Sequence, residues 1–515
     1  MVKRILAACL VAASTASGQA KTIVPSDFDP YVAAALKAFN TPGAAVAIVM
    51  NGQVVLAKGY GLRRLGDATP VDAHTLFQIA SNTKAFTSAA LAMLVDQGQL
   101  RWDDHVTDHL TDFQLSDPYV TREFTVRDML THRSGLGLGA GDLLWFHSNY
   151  SRRDVLHRIR YAKAASSFRS QYAYDNVMYI AAGELIPAVT DTSWDAFITR
   201  RIFEPADMRE AHTGIAGVPA DANLATPHAM VDGKLQIVPR DTVDVTGPAG
   251  GILANVTDLA KWMIVQLDSG RAGAGGRRLW SADRTREMWS AQTILPIPVQ
   301  TGALAPLTPS FAAYGLGWFL RDYRGHKLVL HDGGLSGMTS RTLLVPDLKL
   351  GIVVLTNGES SLSADLPFRV LDHVLGAPPT DWTAAFAASE RDEESKAAEV
   401  EKAATATRVR DSHPSLPLAK YAGRYTDQMY GDATITMEPA GLVLRFVHSP
   451  AFVGDLEHWQ YDTFVAHWRT HNIPDAYVTF ALTPSGAIDT MKMAAVSPLA
   501  DFSFDYQDLL FVPVR

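Results

Sequence analysis

Residues 44–62, AAVAIVMNGQVVLAKGYGL, form two β-rich apolar runs separated by Asn51-Gly52. An Asn-Gly pair accepts positive φ at both central turn positions, so the segment predicts a β-hairpin. From Ser81, SNTKAFTSAALAMLVDQG is dominated by Ala, Leu and Met and stops at Gly98, which predicts a long, mostly buried helix. Helical stretches separated by irregular loops, such as Thr125–Leu130 and Asp191–Ile202, predict an α-rich subdomain between about 100 and 240. Strand character returns at Tyr314–Trp318, Lys327–His331, Ser340–Val345 and Leu350–Thr356, which predicts that the sheet begun by the hairpin is completed here.

After Pro378-Pro379 the pattern changes. Residues 389–410 carry mixed charge and much Ala without a sustained apolar stripe, and read as a helical linker. Beyond it, alternating runs such as Ala433–Met437, Leu442–Phe446 and Tyr477–Phe480, separated by turn residues, predict a small antiparallel β-barrel or sandwich. The expected organisation is a segment 1–20, a first domain over 21–380, a charged helical linker over 381–412 and a β domain over 413–515.

Composition narrows the chemistry. The 515 residues carry a formal net charge of −8 and no Lys/Arg-rich tract, which argues against a nucleic-acid partner. Lys3-Arg4, an apolar run from Ile5 to Ala13 and small residues ending at Ala20 read as a secretory signal peptide, so the expected location is periplasmic or secreted. No later segment reaches the roughly 20 apolar residues that a membrane span requires. The only cysteine, Cys9, lies in the signal segment, so the mature chain is expected to have no disulfide, thiolate nucleophile or Cys-ligated zinc. His105 and His109 stand at i, i+4 without an adjacent Glu and read as surface residues, so no metal or other cofactor is expected.

Ser81-Asn82-Thr83-Lys84 is the one S-x-x-K in the chain. At a helix start, i and i+3 share a face, so the lysine amine can approach the serine hydroxyl. Serine needs a base to become nucleophilic, and lysine can serve only when neutral, a state favoured by burial and by the positive end of a helix dipole. The pattern is also compatible with an N-cap serine beside a solvated lysine.

Two further patterns shift that balance: Tyr174-Asp175-Asn176, the one Y-x-N, and His331-Asp332-Gly333 at the end of a predicted strand. In this order, over residues 25–375, the chain resembles the penicillin-recognising serine hydrolases, in particular the class C β-lactamase, D-aminopeptidase and esterase family. Thr131–Leu136, Pro248–Gly251, Tyr314–Trp318 and Leu355–Asn357 fall in the same family order. The resemblance implies an α/β fold, with an antiparallel sheet flanked by helices, an α-rich subdomain and Ser81 as the acylated nucleophile. It implies Lys84 and Tyr174 as the proton-transfer pair, Asn176 as a partner of lysine and substrate, and His331 with Gly333 at the edge of the site. The N–H groups of Ser81 and Gly334 would form the oxyanion hole.

His212-Thr213-Gly214 also spells H-x-G, but no strand pair follows it, so His331 is preferred. Tyr172 rivals Tyr174, yet only Tyr174 stands two residues before an Asn. Family β-lactamases and carboxypeptidases usually carry lysine where His331 stands, and a mainly neutral histidine binds a substrate carboxylate less well. The expected partner is therefore a small molecule or short peptide. The expected reaction is acyl-enzyme hydrolysis of amide bonds in short peptides, including D-residue-containing or linearised cyclic ones. The alternatives are a small-acyl esterase and a penicillin-binding module or weak β-lactamase. No G-x-S-x-G occurs, which disfavours an α/β-hydrolase. From about Leu416 to Val514 the chain resembles the lipocalin-like domain appended to some of these enzymes, which would either narrow the cleft or serve only as a stabilising barrel.

Overall fold

The computed structural model describes residues 22–242, 244–273 and 276–514. The predicted signal segment and Cys9 lie outside the described residues.

The hairpin forms as its pattern predicts, from β1 (Gly43–Met50) and β2 (Gln53–Gly61), with a turn at Asn51-Gly52. The sheet is completed far along the chain by β3 (Thr293–Ile294), β4 (Ala312–Tyr314), β5 (Phe319–Tyr323), β6 (His326–Leu335), β7 (Met338–Val345) and β8 (Leu350–Thr356). Its order is β2-β1-β8-β7-β6-β5-β4-β3, and every pairing is antiparallel. β1 and β8 are buried along almost their whole length because the sheet is covered on both faces. On one face lie α1 (Phe28–Ala38) and α5 (Leu362–Leu375), the latter following the sheet. On the other lie α2 (Thr83–Asp96), α3 (Asn176–Thr190), α4 (Val256–Leu267) and the loop-rich subdomain.

One predicted strand differs. Residues 315–318 of the Tyr314–Trp318 run form the turn between β4 and β5, closed by a Gly315 N–H bond to the Trp318 carbonyl. The two glycines interrupt the ladder where the apolar run alone reads as continuous.

A 25-residue helix, α6 (Trp382–Ala406), leaves the first sheet, anchored at its start by buried Trp382, whose indole N–H bonds Asp372. It leads to a closed antiparallel barrel of eight strands, from Gly423–Asp427 to Leu510–Pro513. Gly431, Ala433 and Ile435 are buried in alternation along Gly431–Glu438, the period-2 signal read from the sequence. Among the described residues no helix is long and apolar enough to cross a membrane. The barrel packs directly on the first domain, and the two share one continuous apolar cluster.

Candidate functional site

Ser81 lies on a single 3-10 turn, Ala80–Asn82, immediately before α2. Ala80 has φ of 48°, a left-handed conformation costing a non-glycine residue of order 1–3 kcal/mol. Surrounding bonds hold it there. Asn82 Nδ2 donates to Ser340 Oγ at 2.8 Å, Ser340 Oγ donates to the Ile79 carbonyl at 2.8 Å, and the Ile79 N–H bonds the Ile252 carbonyl. Gly333 permits this approach, because a Cβ there would stand 2.4 Å from the Ile79 carbonyl oxygen. Gly333 therefore serves the seating of β6 on the serine turn, whereas a Cβ at Gly334 would meet nothing within 4 Å.

Twelve of the fourteen residues of α2 are buried, Lys84 completely. Lys84 Nζ stands 3.0 Å from Ser81 Oγ, 2.7 Å from Asn176 Oδ1 and 2.9 Å from the Ala249 carbonyl oxygen. Burial lowers its pKa to about 7, against the opposing pull of Asp142 and Asp175. A neutral amine has two N–H bonds and one lone pair. Asn176 Oδ1 and Ala249 O can only accept, so they take the two hydrogens and leave the lone pair facing Ser81 Oγ.

The Asn176 amide is oriented from its other end, where Nδ2 donates to Asp142 Oδ2 at 2.8 Å. Asp142 is wholly buried and also accepts the Trp145 indole N–H at 2.7 Å. Desolvation raises its pKa to about 7, while Trp145, Asn176 and Ser503 act in the opposite direction. Tyr174, one residue before the α3 cap, places its ring 4.8 Å from Lys84 Nζ, stacked on His132 at 4.2 Å. Burial holds its phenol well above the ordinary value, against a smaller lowering by the Ser81 hydroxyl, so it stays protonated at neutral pH.

His331 is buried, and both ring nitrogens are occupied. Nδ1 lies 2.6 Å from the Asp332 carbonyl oxygen, so it carries the hydrogen, and Nε2 accepts from the Tyr314 hydroxyl at 3.0 Å. Burial and the Lys84 charge lower its pKa to about 4. β5 pairs with β6 only as far as Leu330, so residues 331–335 pair on one side alone, with β7. Their other edge is open along a cavity of about 360 Å³ lined by Ser81, Tyr174, Asn176, His331, Gly333 and Gly334.

The structure thus gathers every predicted site residue around one cavity except Lys84, which lies beneath it. Tyr172 also lines the cavity, whereas His212 does not: its backbone pairs with Leu253. Among the described residues no cluster could hold a metal ion.

The Beta-lactamase family model matches residues 28–375. The chain belongs to the β-lactamase family. It is a serine hydrolase of that family. A second match, over residues 407–513, is to a domain of unknown function, DUF3471. The chain is 29% identical over 500 residues to Unguisins hydrolase ungD of Aspergillus violaceofuscus, covering 90% of this chain and 87% of that protein. It is 29% identical to Penicillin-binding protein 4 of Amycolatopsis lactamdurans, over 66% of this chain and 90% of that one. In fold it is similar to the octameric penicillin-binding protein homologue from Pyrococcus abyssi, with TM-score 0.61, 22% identity and coverage of 91% and 98%. The D-amino acid amidase of Ochrobactrum anthropi SV3 has TM-score 0.55 at 22% identity, covering 68% of this chain and 99% of its own.

Several residues at the site carry no sequence motif. Asp142 and Trp145 come from an irregular loop, and Asp501, Phe502 and Ser503 from a barrel loop more than 400 residues after Ser81. The glycine run 135–141 signals a tight loop, but nothing in the sequence indicates which barrel loop reaches the cavity.

Proposed function

We propose that this protein hydrolyses amide bonds of short peptides through an acyl-enzyme on Ser81. Ser81 Oγ attacks the carbonyl carbon while its proton passes to Lys84 Nζ, and the Ser81 and Gly334 N–H groups receive the developing oxyanion. As the C–N bond breaks, the leaving amine takes its proton from the Lys84 ammonium through the Tyr174 hydroxyl. Water then attacks the ester, the same groups carry the proton in reverse, and Ser81 is restored.

The observation that carries the substrate class is the charge of the cavity wall. Among its lining residues none is Lys or Arg; the acidic ones are Asp501 and Asp332, whose carboxylate is taken up by the Arg341 guanidinium. With His331 neutral and engaged at both nitrogens, a carboxylate beside the scissile bond finds no counter-charge. That favours peptides, held along the open edge of β6 in the manner of an added strand, over β-lactams. A second chamber of about 530 Å³ shares Trp145, Gly334, Leu335, Asp501 and Ser503 with the first, which gives length beyond one residue. Relatives named as hydrolases support the hydrolytic reading.

The test compares kcat/KM for L- and D-aminoacyl p-nitroanilides, a short-chain p-nitrophenyl ester and nitrocefin. Nitrocefin is expected to be the slowest. A nitrocefin value well above the others would make the protein a β-lactamase, and ester turnover without amide turnover would make it an esterase.

Tyr174→Phe is expected to lower kcat/KM about a hundredfold, the scale for losing a positioned proton carrier, while Tyr172→Phe stays near wild type. Steady-state kinetics on both variants checks this, and the reverse order would move the proton carrier to Tyr172.

A further inference from the structure

The loop that carries Asp142 is gripped from the barrel. Gly141 N–H donates to Asp505 Oδ2 at 2.7 Å and Leu143 N–H to Asp505 Oδ1 at 3.1 Å, so one barrel carboxyl holds the backbone on either side of Asp142. The barrel's own Tyr430 hydroxyl donates to Asp505 and accepts a longer bond, 3.3 Å, from the Gly141 N–H. Asp505 is completely buried. Gly139 shows how tight the seat is. Its φ is 71°, and a Cβ there would stand 2.4 Å from the Phe502 carbonyl oxygen of the barrel. On the other side, the Gly139 N–H bonds the Tyr174 carbonyl.

We propose that the barrel is a positioning element of the catalytic centre: Asp505 fixes the loop on which Asp142 stands, and Asp142 fixes the Asn176 amide that faces Lys84. An asparagine amide has two unlike ends. Only with Nδ2 turned to the Asp142 carboxylate does Oδ1 face the lysine, where it takes one amine hydrogen and leaves the lone pair for Ser81. If Asp142 shifts, the amide loses what distinguishes its ends, and its N–H group can turn toward the amine. Asp505 touches neither substrate nor Lys84, so it is a positioning residue. The barrel would thereby be required for proton transfer as well as for the shape of the cleft. This inference rests on Lys84 being the base for Ser81, a premise that Lys84→Met reports separately, through loss of both the acid limb and fluorophosphonate labelling at Ser81.

The experiment uses the full chain with Asp505→Ala, Asp505→Asn, Asp142→Ala, the Ala/Ala double variant and Tyr430→Phe, measuring kcat, KM and thermal unfolding between pH 5 and 9. Asp505→Ala is expected to lower kcat about ten- to a hundredfold, the scale for a small misplacement, with KM little changed. The acid limb of its pH profile should move to higher pH, because water admitted around Lys84 returns the amine toward its ordinary value. Asp505→Asn keeps one accepting oxygen but turns an amide NH2 onto the other backbone N–H, so it should recover only part of the rate. The double variant should be no slower than Asp142→Ala alone, since both act through one chain. A lowered melting temperature with kcat and pH limb unchanged would reduce Asp505 to a docking contact and overturn the proposal. So would losses that multiply in the double variant. Should Asp505→Ala fail to fold, Tyr430→Phe removes one hydroxyl from the clasp. It should shift the limb in the same direction by less, and an unmoved limb there also overturns the proposal.

Discussion

Ser81→Ala is expected to abolish hydrolysis, lowering kcat by at least about four orders of magnitude, as loss of the nucleophile does in other serine hydrolases. The whole arrangement converges on this hydroxyl. The strained Ala80 turn presents it, the buried Lys84 faces it, and it is the half-buried member of a cluster whose other groups are buried. Removing one oxygen leaves the Ser340 clamp and α2 intact, so the melting temperature should change little. Residual turnover of a p-nitrophenyl ester within about a hundredfold of wild type would point to a different nucleophile.

The second large effect concerns Lys84. Lys84→Met keeps the length of the side chain but removes the amine, and is expected to cost about a hundred- to ten-thousandfold in kcat/KM. Wild-type kcat/KM should fall roughly tenfold per pH unit below about 7 and level off above it. The sign follows from the role: the neutral amine is the active form, and burial has brought its pKa down from 10.5 to about 7. Protonation on the acid side therefore removes the base. His331, at about 4, adds no step between pH 5 and 8, whereas Asp142, raised to about 7, titrates in the same window and is told apart from Lys84 by the Lys84→Met profile. The Lys84→Met profile should lose the limb. The variant also leaves Asn176 Oδ1 and the Ala249 carbonyl without a donor, at about 1–3 kcal/mol each, so unfolding should be followed beside the kinetics. A limb that survives the substitution would assign that titration to another group.

Much of this was legible in the sequence because the signals are local. The hairpin at Asn51-Gly52, the apolar run of α2 and the period-2 alternation of the barrel strands each express a repeat within a few residues. Ser81 and Lys84 are three apart, so a single helical turn brings them together before any tertiary contact forms. The β4–β5 turn was misread as strand because Gly315 and Gly317 break the ladder through tertiary packing, which an apolar run does not report. A Cβ at Gly315 would meet the Met288 carbonyl oxygen at 2.2 Å. His331 was legible as a position and as a mainly neutral group, but the depth of its burial, the Lys84 charge beside it and its Tyr314 partner were not. Asp142 and Asp505 were invisible because isolated aspartates in loops read as solvated turn residues. Both are buried where the barrel meets the 139–146 loop, a contact between segments more than 350 residues apart.

The most direct test of the account is covalent. The purified protein would be treated with a fluorophosphonate probe at pH 8, its intact mass measured, and the modified peptide mapped, with Ser81→Ala alongside. A single adduct on Ser81 in the wild type and none on the variant is the predicted result. An adduct that persists on Ser81→Ala, or maps to another serine in the wild type, would contradict it.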